Sequence, residues 1–224
     1  MGCLLKQGGG LYPRLRIGAV LLAAGDGRRM GGVAKPLIRL QGVPLVRRQL
    51  VALSGAGVDE VVVVTGHARA EVETEVAPFT VTLAHDADRA HGEDGSLRIG
   101  LAALSGPFDA VLVMPSDQPL IAAGDLTELI GAFKKRPGGQ VVAPFVDGVR
   151  GDPVVLDEAA QAHLQGGAAL GEWLAREPGV VHRHVTDNAR FVSGLDTLDD
   201  VRALAQRTGW RLELPAQAAV AGRH

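Results

Sequence analysis

Apolar residues in this chain gather into short unbroken runs: Ile17-Gly18-Ala19-Val20-Leu21-Leu22, Val61 to Val64, Val81-Thr82-Leu83, Ala110 to Met114 and Val141-Val142-Ala143. Runs this short and rich in β-branched residues predict strands covered on both faces, as in a parallel sheet with helices on each side. Between the first two runs, Leu45, Val46, Gln49, Leu50 and Leu53 keep helical spacing and stop at Gly55 and Gly57, the residue type that ends helices. Further helical patterns cover 69–76, 96–104, 126–135, 168–176 and 198–208. Such alternation predicts right-handed βαβ units in a doubly wound sheet. Beyond residue 142 it loosens, and Asp147-Gly148 predicts a hairpin turn joining 141–145 to 153–156, an antiparallel piece on the substrate side.

A length of 224 residues suits one core. We place a single domain at 17–210, a disordered leader at 1–16 and a frayed tail at 211–224. The 30 glycines and 4% aromatics fit many tight strand-to-helix turns. A net charge of -2 gives no reason to expect a nucleic acid or an anionic membrane as partner. No run approaches the ~18 apolar residues of a membrane span. The lone cysteine, Cys3, forms no internal disulfide, which agrees with a cytoplasmic location.

Chemistry concentrates where the first strand ends, in Leu22-Ala23-Ala24-Gly25-Asp26-Gly27-Arg28-Arg29-Met30-Gly31-Gly32-Val33-Ala34-Lys35-Pro36. Open α/β sheets bind ligands at this edge. Small residues let backbone amides approach a phosphate, and Arg28, Arg29 and Lys35 supply countercharge; the glycines alone would also suit a solvated turn. Lys35 follows Ala34 and precedes Pro36, which excludes a Walker A loop. Gly25-x-Gly27 resembles a dinucleotide turn, but the second strand ends in Thr65-Gly66 where an acidic ribose ligand is expected. The fourth strand runs into Ser116-Asp117-Gln118-Pro119, placing a carboxylate on the same edge. Mg²⁺ needs only a few carboxylates besides phosphate oxygens and water, so Asp117 is a metal candidate as well as a possible turn residue. His85, His91, His163, His182 and His184 show no ligand spacing and read as surface or packing residues. Trp173 reads as core.

Several segments together resemble the MobA-like nucleotidyltransferases, most of all their molybdenum cofactor cytidylyltransferases. They are the Leu-Ala-Ala-Gly start, Arg28-Arg29-Met30-Gly31-Gly32 with Lys35-Pro36, Gly95-Ser96-Leu97-Arg98-x-Gly100, Ser116-Asp117-Gln118-Pro119, Gly148-x-Arg150-Gly151-x-Pro153 and Asp196-Thr197-x-x-Asp200. The resemblance implies a Rossmann-like three-layer αβα fold of the glycosyltransferase-A type, with a mostly parallel sheet. It implies transfer of CMP from CTP to the phosphate of molybdopterin, with Mg²⁺ as cofactor. Arg29 would then hold the triphosphate, Lys35 would stabilise charge at the α-phosphorus, Asp117 and Asp196 would bind the metal, and Arg28 would be a weaker phosphate contact. Leu22, Ala23, Ala24, Gly25, Gly27, Gly95 and Ser96 would line the nucleotide. Guanylyl members read Leu-Ala-Gly-Gly where this chain reads Leu22-Ala23-Ala24-Gly25, the cytidylyl form. Ser96 could equally cap a helix starting at Leu97.

The chain departs from the pattern at Asp152, where family members often carry His, and at Thr197-Leu198-Asp199-Asp200, where Thr-Pro-Glu-Asp is usual. An acid at 152 would repel a pterin phosphate unless it turns away or helps bind metal. Other readings are an NAD(P)-dependent oxidoreductase of the same sequence family and a non-catalytic protein that holds or delivers the molybdenum cofactor. A molybdoenzyme or its chaperone would receive the product.

Overall fold

The computed structural model describes residues 14–88 and 92–215. In chain order the elements are β1 (Ile17–Ala23), β2 (Arg39–Leu40), β3 (Val43–Pro44), α1 (Leu45–Gly55), β4 (Glu60–Thr65), α2 (Arg69–Val76), β5 (Thr82–His85), α3 (Gly92–Ala102), β6 (Ala110–Pro115), α4 (Ala123–Lys135), β7 (Val141–Val146), β8 (Val149–Arg150), β9 (Val154–Leu156), α5 (Glu158–Gln165), α6 (Leu170–Arg176), β10 (Val181–Val185), α7 (Leu198–Thr208) and β11 (Leu212–Glu213). Among the described residues, eight strands form the main sheet in the order β10-β7-β9-β6-β1-β4-β5, with β8 added to β7. Within this sheet β1 runs parallel to both its neighbours, β4 and β6, and among its described strands only β8 and β9 run antiparallel to those they pair with. The order reverses at β1, so the crevice beyond the ends of β1 and β6 is the topological switch point.

The apolar run of β1 has a simple cause: every residue from Ile17 to Ala23 is buried, because both faces are covered. Side chains alternate across a strand. Ile17, Ala19, Leu21 and Ala23 face the layer of α1, α2 and α4, packing with Val46, Leu50, Val72, Leu126 and Phe133. Val20, Leu22 and Ala24 face α3, α5 and α6, packing with Leu97, Leu101, Leu164 and Trp173. Each large apolar side chain so buried stabilises by about 1.5–3 kcal/mol. The two layers clamp β1 in place, and with it the start of the site.

A third cluster joins the two ends of the chain. Met30, Val33, Ile38, Leu40 and Leu45 pack with Leu195, Val201 and Leu204. Leu212–Glu213 pair antiparallel with Arg39–Leu40. The chain is therefore ordered at Leu212 and Glu213, where the sequence reading expects fraying; residues 1–13 of the expected leader, 216–224 of the tail and His91 lie outside the described residues.

Asp147-Gly148 does turn the predicted hairpin, with Val146 opposite Val149 and both turn residues at positive φ, as a type I′ turn requires. Its returning arm is split. Phe145 pairs with Arg150, but Val142 pairs with Val155, so two extra residues bulge out between β8 and β9. The arm reaches the cleft with 149–152, while β9 is built into the sheet between β7 and β6. The predicted helix at 96–104 starts earlier, at Gly92, because Glu93 and Asp94 stabilise a helix N-terminus without adding to its apolar pattern. Trp173 is core, in ring contact with His163 at 4.5 Å, and His184 bonds Glu128 at 2.7 Å. No described helix is long and apolar enough to cross a membrane.

Gly100 sets how closely α3 approaches β1. A Cβ there would lie 2.3 Å from Val20 Cγ1 and 2.9 Å from Val64 Cγ2. Alanine would gain up to ~1 kcal/mol of helix propensity, but overpacking against stiff β-branched neighbours costs about 1–3 kcal/mol. We expect Gly100→Ala to lower the urea midpoint; an unchanged or higher midpoint would show that α3 can shift freely.

Candidate active site

At the end of β1 the alternation sends Leu22 and Ala24 to the cleft wall and Ala23 into the opposite core. The chain then reverses at Gly27, whose φ is +63° and where a Cβ would sit 1.9 Å from the Val33 carbonyl oxygen. Only glycine fits. The amides of Met30 and Gly32 donate to the Gly27 carbonyl at 2.7 and 3.0 Å, and that of Gly31 to the Arg28 carbonyl at 3.1 Å. These three amides are thus spent within the turn. Met30 is 1% exposed and anchors the turn in the third cluster, leaving Arg28 and Arg29 outside. Arg28 pairs with Asp26 at 2.6 Å, while Arg29 reaches Asp196 Oδ1 at 2.9 Å.

Lys35 opens the turn Lys35–Leu37, fixed by buried Pro36. Its Nζ donates to Asp117 Oδ2 at 2.8 Å and to Asp196 Oδ1 at 2.9 Å. Burial opposes its charge, but the two carboxylates outweigh that and hold the ammonium above its ordinary pKa. Asp117 stands just past β6, where Ser116 N–H donates to the Leu22 carbonyl at 3.0 Å and prolongs the β1–β6 contact. Gln49 of α1, 1% exposed, donates to the Pro115 and Gln118 carbonyls from below. Leu195 N–H donates to the Asp117 carbonyl at 3.0 Å, tying the Asp196 segment to the same strand end. Asp200 then receives the amides of Asp196 and Thr197 at 2.9 and 2.7 Å and caps α7 reciprocally with Thr197. Desolvation works against the Asp200 carboxylate, yet the Thr197 hydroxyl and these amides hold its pKa below the usual range.

Ser96 is no N-cap. It lies inside α3, 5% exposed, and its hydroxyl donates to Asp86 Oδ2 at 2.6 Å. Asp86 is 4% exposed, lines the cleft just beyond β5 and donates its own amide to the Thr65 carbonyl at 2.9 Å. Sequence reasoning missed it, although a carboxylate one residue past a parallel strand on the ligand edge was a sufficient signal. Gly95 is buried in α3 and, like Ala23, is not on the cleft wall.

The cleft has a volume of about 1370 Å³, and its walls include Leu22, Ala24, Gly25, Gly27, Arg28, Arg29, Lys35, Ser96, Asp117 and Asp196. Facing the cationic loop are Glu93 from α3 and Arg150, Gly151 and Asp152 from the bulge. A Cβ at Gly151 would sit 2.4 Å from the Phe191 carbonyl oxygen, and Asp152 N–H donates to that oxygen at 2.9 Å, so the bulge is fixed in place. Burial raises the Asp152 pKa, with Asp117 adding to the rise and Arg150 opposing it. Desolvation raises Glu93 too, although water reaches it from the cleft, and Asp152, Asp117 and Asp94 repel its charge.

Among the described residues no three His, Cys, Asp or Glu side chains converge to hold a metal unaided. Two do converge: Asp117 and Asp196 meet at one ammonium. That donor set fits a hard cation that completes its shell with phosphate and water.

A parallel sheet carrying a cationic turn and facing carboxylates at its switch point defines an α/β protein suited to phosphoanhydride ligands. The chain belongs to the MobA-like NTP transferase domain family, whose model matches residues 19–185. It is 28% identical to a molybdenum cofactor guanylyltransferase of Ralstonia nicotianae over 88% of this chain and all of that protein. It spans only 27% of a Pelobacter propionicus bifunctional protein GlmU. In fold it is similar to a nucleotidyl transferase from Methanothermobacter thermautotroptrophicus, with TM-score 0.72 and 24% identity over 86% of this chain and 97% of that one. A Mycobacterium tuberculosis protein solved in complex with manganese gives 0.70 and 23% over 85% and 98%. The family is one of nucleotidyltransferases.

The Asp200 cap generates a prediction about acid stability. A depressed folded pKa gives stability that is present above the unfolded value, about 4, and is lost as pH falls through the folded value. Asp200→Asn should cost about 0.5–2 kcal/mol at neutral pH and melt with a weaker dependence on acidification below pH ~5. Parallel melting curves against pH for the two proteins would contradict this.

Proposed function

We propose that the chain transfers CMP from CTP to the phosphate of molybdopterin, releasing diphosphate. Nucleotidyl transfer rests on the family; the observation that carries the choice of base is the Ala24 methyl. It stands on the cleft wall, 5% exposed. Gly66 is pressed behind it so closely that a Cβ there would lie 2.9 Å from Ala24 Cβ and 2.5 Å from its carbonyl oxygen. With Ala24 unable to retreat, its methyl would leave less room than the glycine of the guanylyl pattern, which favours the smaller pyrimidine.

An oxygen of the acceptor phosphate would attack the α-phosphorus in line, forming one P–O bond as the bond to the β-phosphate breaks and diphosphate leaves. That phosphate is already ionised at neutral pH, so the chain need supply no base. Arg29 and Lys35 bind and orient the triphosphate, and most of the acceleration is positioning and charge neutralisation. Asp117 and Asp196 would hold Mg²⁺, which supplies further positive charge to the phosphates when bound. In the acceptor half, desolvation raises the Asp152 pKa while Arg150 opposes the rise, and the charge of that arginine offsets repulsion of a phosphate. The Asp152 carboxyl suits the N–H edge of a pterin ring. The guanylyltransferase of Ralstonia, similar along its whole length, has a molybdenum cofactor acceptor in its name.

One observation favours a second reading, GTP. The Ralstonia protein that this chain resembles over its whole length is named a guanylyltransferase. Diphosphate release with CTP, GTP and ATP, each with and without molybdenum cofactor, decides between them. We expect a signal that needs both CTP and the acceptor; GTP preference would overturn the base assignment. Lys35→Ala and Asp117→Ala should each lower turnover at least ~10²-fold with the fold intact, and near-normal release by either would refute its role. Ala24→Gly should move the CTP-to-GTP ratio of kcat/KM towards GTP by roughly 10–200-fold, the worth of about one methyl in a pocket. An unmoved ratio would remove Ala24 as the discriminator.

A further inference from the structure

We propose that Lys35 is the resident cation of the metal site in the free protein, and that it gives up this place to a divalent ion only when a nucleotide offers it phosphate instead. The inference rests on the assignment of Asp117 and Asp196 as metal carboxylates.

The geometry is that of a filled site. Nζ lies 2.8 Å from Asp117 Oδ2 and 2.9 Å from Asp196 Oδ1, and Arg29 shares the same Asp196 oxygen at 2.9 Å. Two carboxylates thus meet two cations, and their formal charges cancel. Lys35 is no loose surface residue, since its side chain is 16% exposed. A divalent ion arriving alone would have to expel the ammonium from between the oxygens it needs, leaving that ammonium half-buried among like charge.

A triphosphate changes this balance. Its oxygens give Lys35 and Arg29 a new anionic partner and complete the shell of a metal that two carboxylates alone hold poorly. A flexible four-carbon stem with three rotatable donors can move between two stations while its backbone stays fixed. Here the backbone is fixed: Leu37 N–H donates to Ala34 and Ile38 N–H to Lys35 itself, at 3.0 and 3.1 Å, and Pro36 is buried. Metal and nucleotide should therefore strengthen each other's binding, as linkage requires. The same ammonium keeps the two acids from repelling each other while the cleft waits for its ligands.

Water-proton relaxation with Mn²⁺ tests this, because it separates the protein-bound ion from the ion on free nucleotide. The full chain is titrated with and without α,β-methylene-CTP, which resists transfer. We expect wild type to bind Mn²⁺ weakly alone and more tightly with the analogue. Lys35→Met should bind Mn²⁺ alone about tenfold or more tighter than wild type, with Lys35→Gln as a second neutral variant and melting curves confirming that each is folded. Adding Asp117→Asn to Lys35→Met should abolish that gain. If both neutral variants bind Mn²⁺ no tighter than wild type while Asp117→Asn weakens binding with the analogue, the metal assignment holds and the tenancy of Lys35 is wrong. If Asp117→Asn leaves binding with the analogue unchanged, the metal assignment itself fails.

Discussion

The site depends on one ammonium group. Lys35 Nζ joins carboxylates that are 82 and 161 residues away along the chain, and without it Asp117 and Asp196 would face each other across a partly buried space. Such pairs contribute little stability by themselves, about 0–1 kcal/mol when exposed. What brings them together is apolar packing. Met30 and Val33 on the loop share a cluster with Leu195 and Val201, which flank Asp196, so the segment bearing the second carboxylate is held against the segment bearing the lysine. Leu195 N–H on the Asp117 carbonyl closes the triangle. The electrostatic contact is the result of this scaffold, and its chemical value lies in being exchangeable.

The free cleft is therefore already balanced, with Arg28 on Asp26 and with Arg29 and Lys35 on Asp196 and Asp117. An anion enters by taking cations from carboxylates, so it must carry enough charge to compete with them. A triphosphate does; a neutral nucleoside does not. The opposite wall is of mixed charge: the pKa values of Glu93 and Asp152 are raised above all by desolvation, with Asp117 repelling both, and Arg150 stands beside Asp152.

Much of this was legible in the sequence. The apolar runs of β1, β4 and β6 mark covered parallel strands, and the ligand edge of such a sheet locates Arg29, Lys35 and Asp117 before any coordinates. Three things were not legible, each for a physical reason. α3 begins at Gly92 because acids at a helix N-terminus stabilise it without joining the apolar stripe, which turns Ser96 from a cap into the donor that holds Asp86. β9 enters the sheet between β6 and β7, a choice of neighbour that hydrophobic pattern does not encode. Ala23 and Ala24 are chemically identical, and only strand alternation separates the one in the core from the one on the cleft.

That last difference bears on how the family diversifies. The chain resembles both a molybdenum cofactor guanylyltransferase and part of a bifunctional protein GlmU, so one scaffold is shared by proteins of different name. The cationic loop cannot carry a difference between their substrates, because its geometry is set by Gly27 against Val33 and by a core anchored on Met30, and phosphate chemistry is common to all such substrates. Variation has room on the cleft wall that carries Ala24 and Asp86 and at the bulge of Gly151 and Asp152. Each is borne on a frame that tolerates little movement: Gly66 backs the first and the Phe191 carbonyl backs the second. A single methyl or carboxyl presented on so rigid a frame cannot be relaxed away, and so it acts at full strength on whichever ligand meets it.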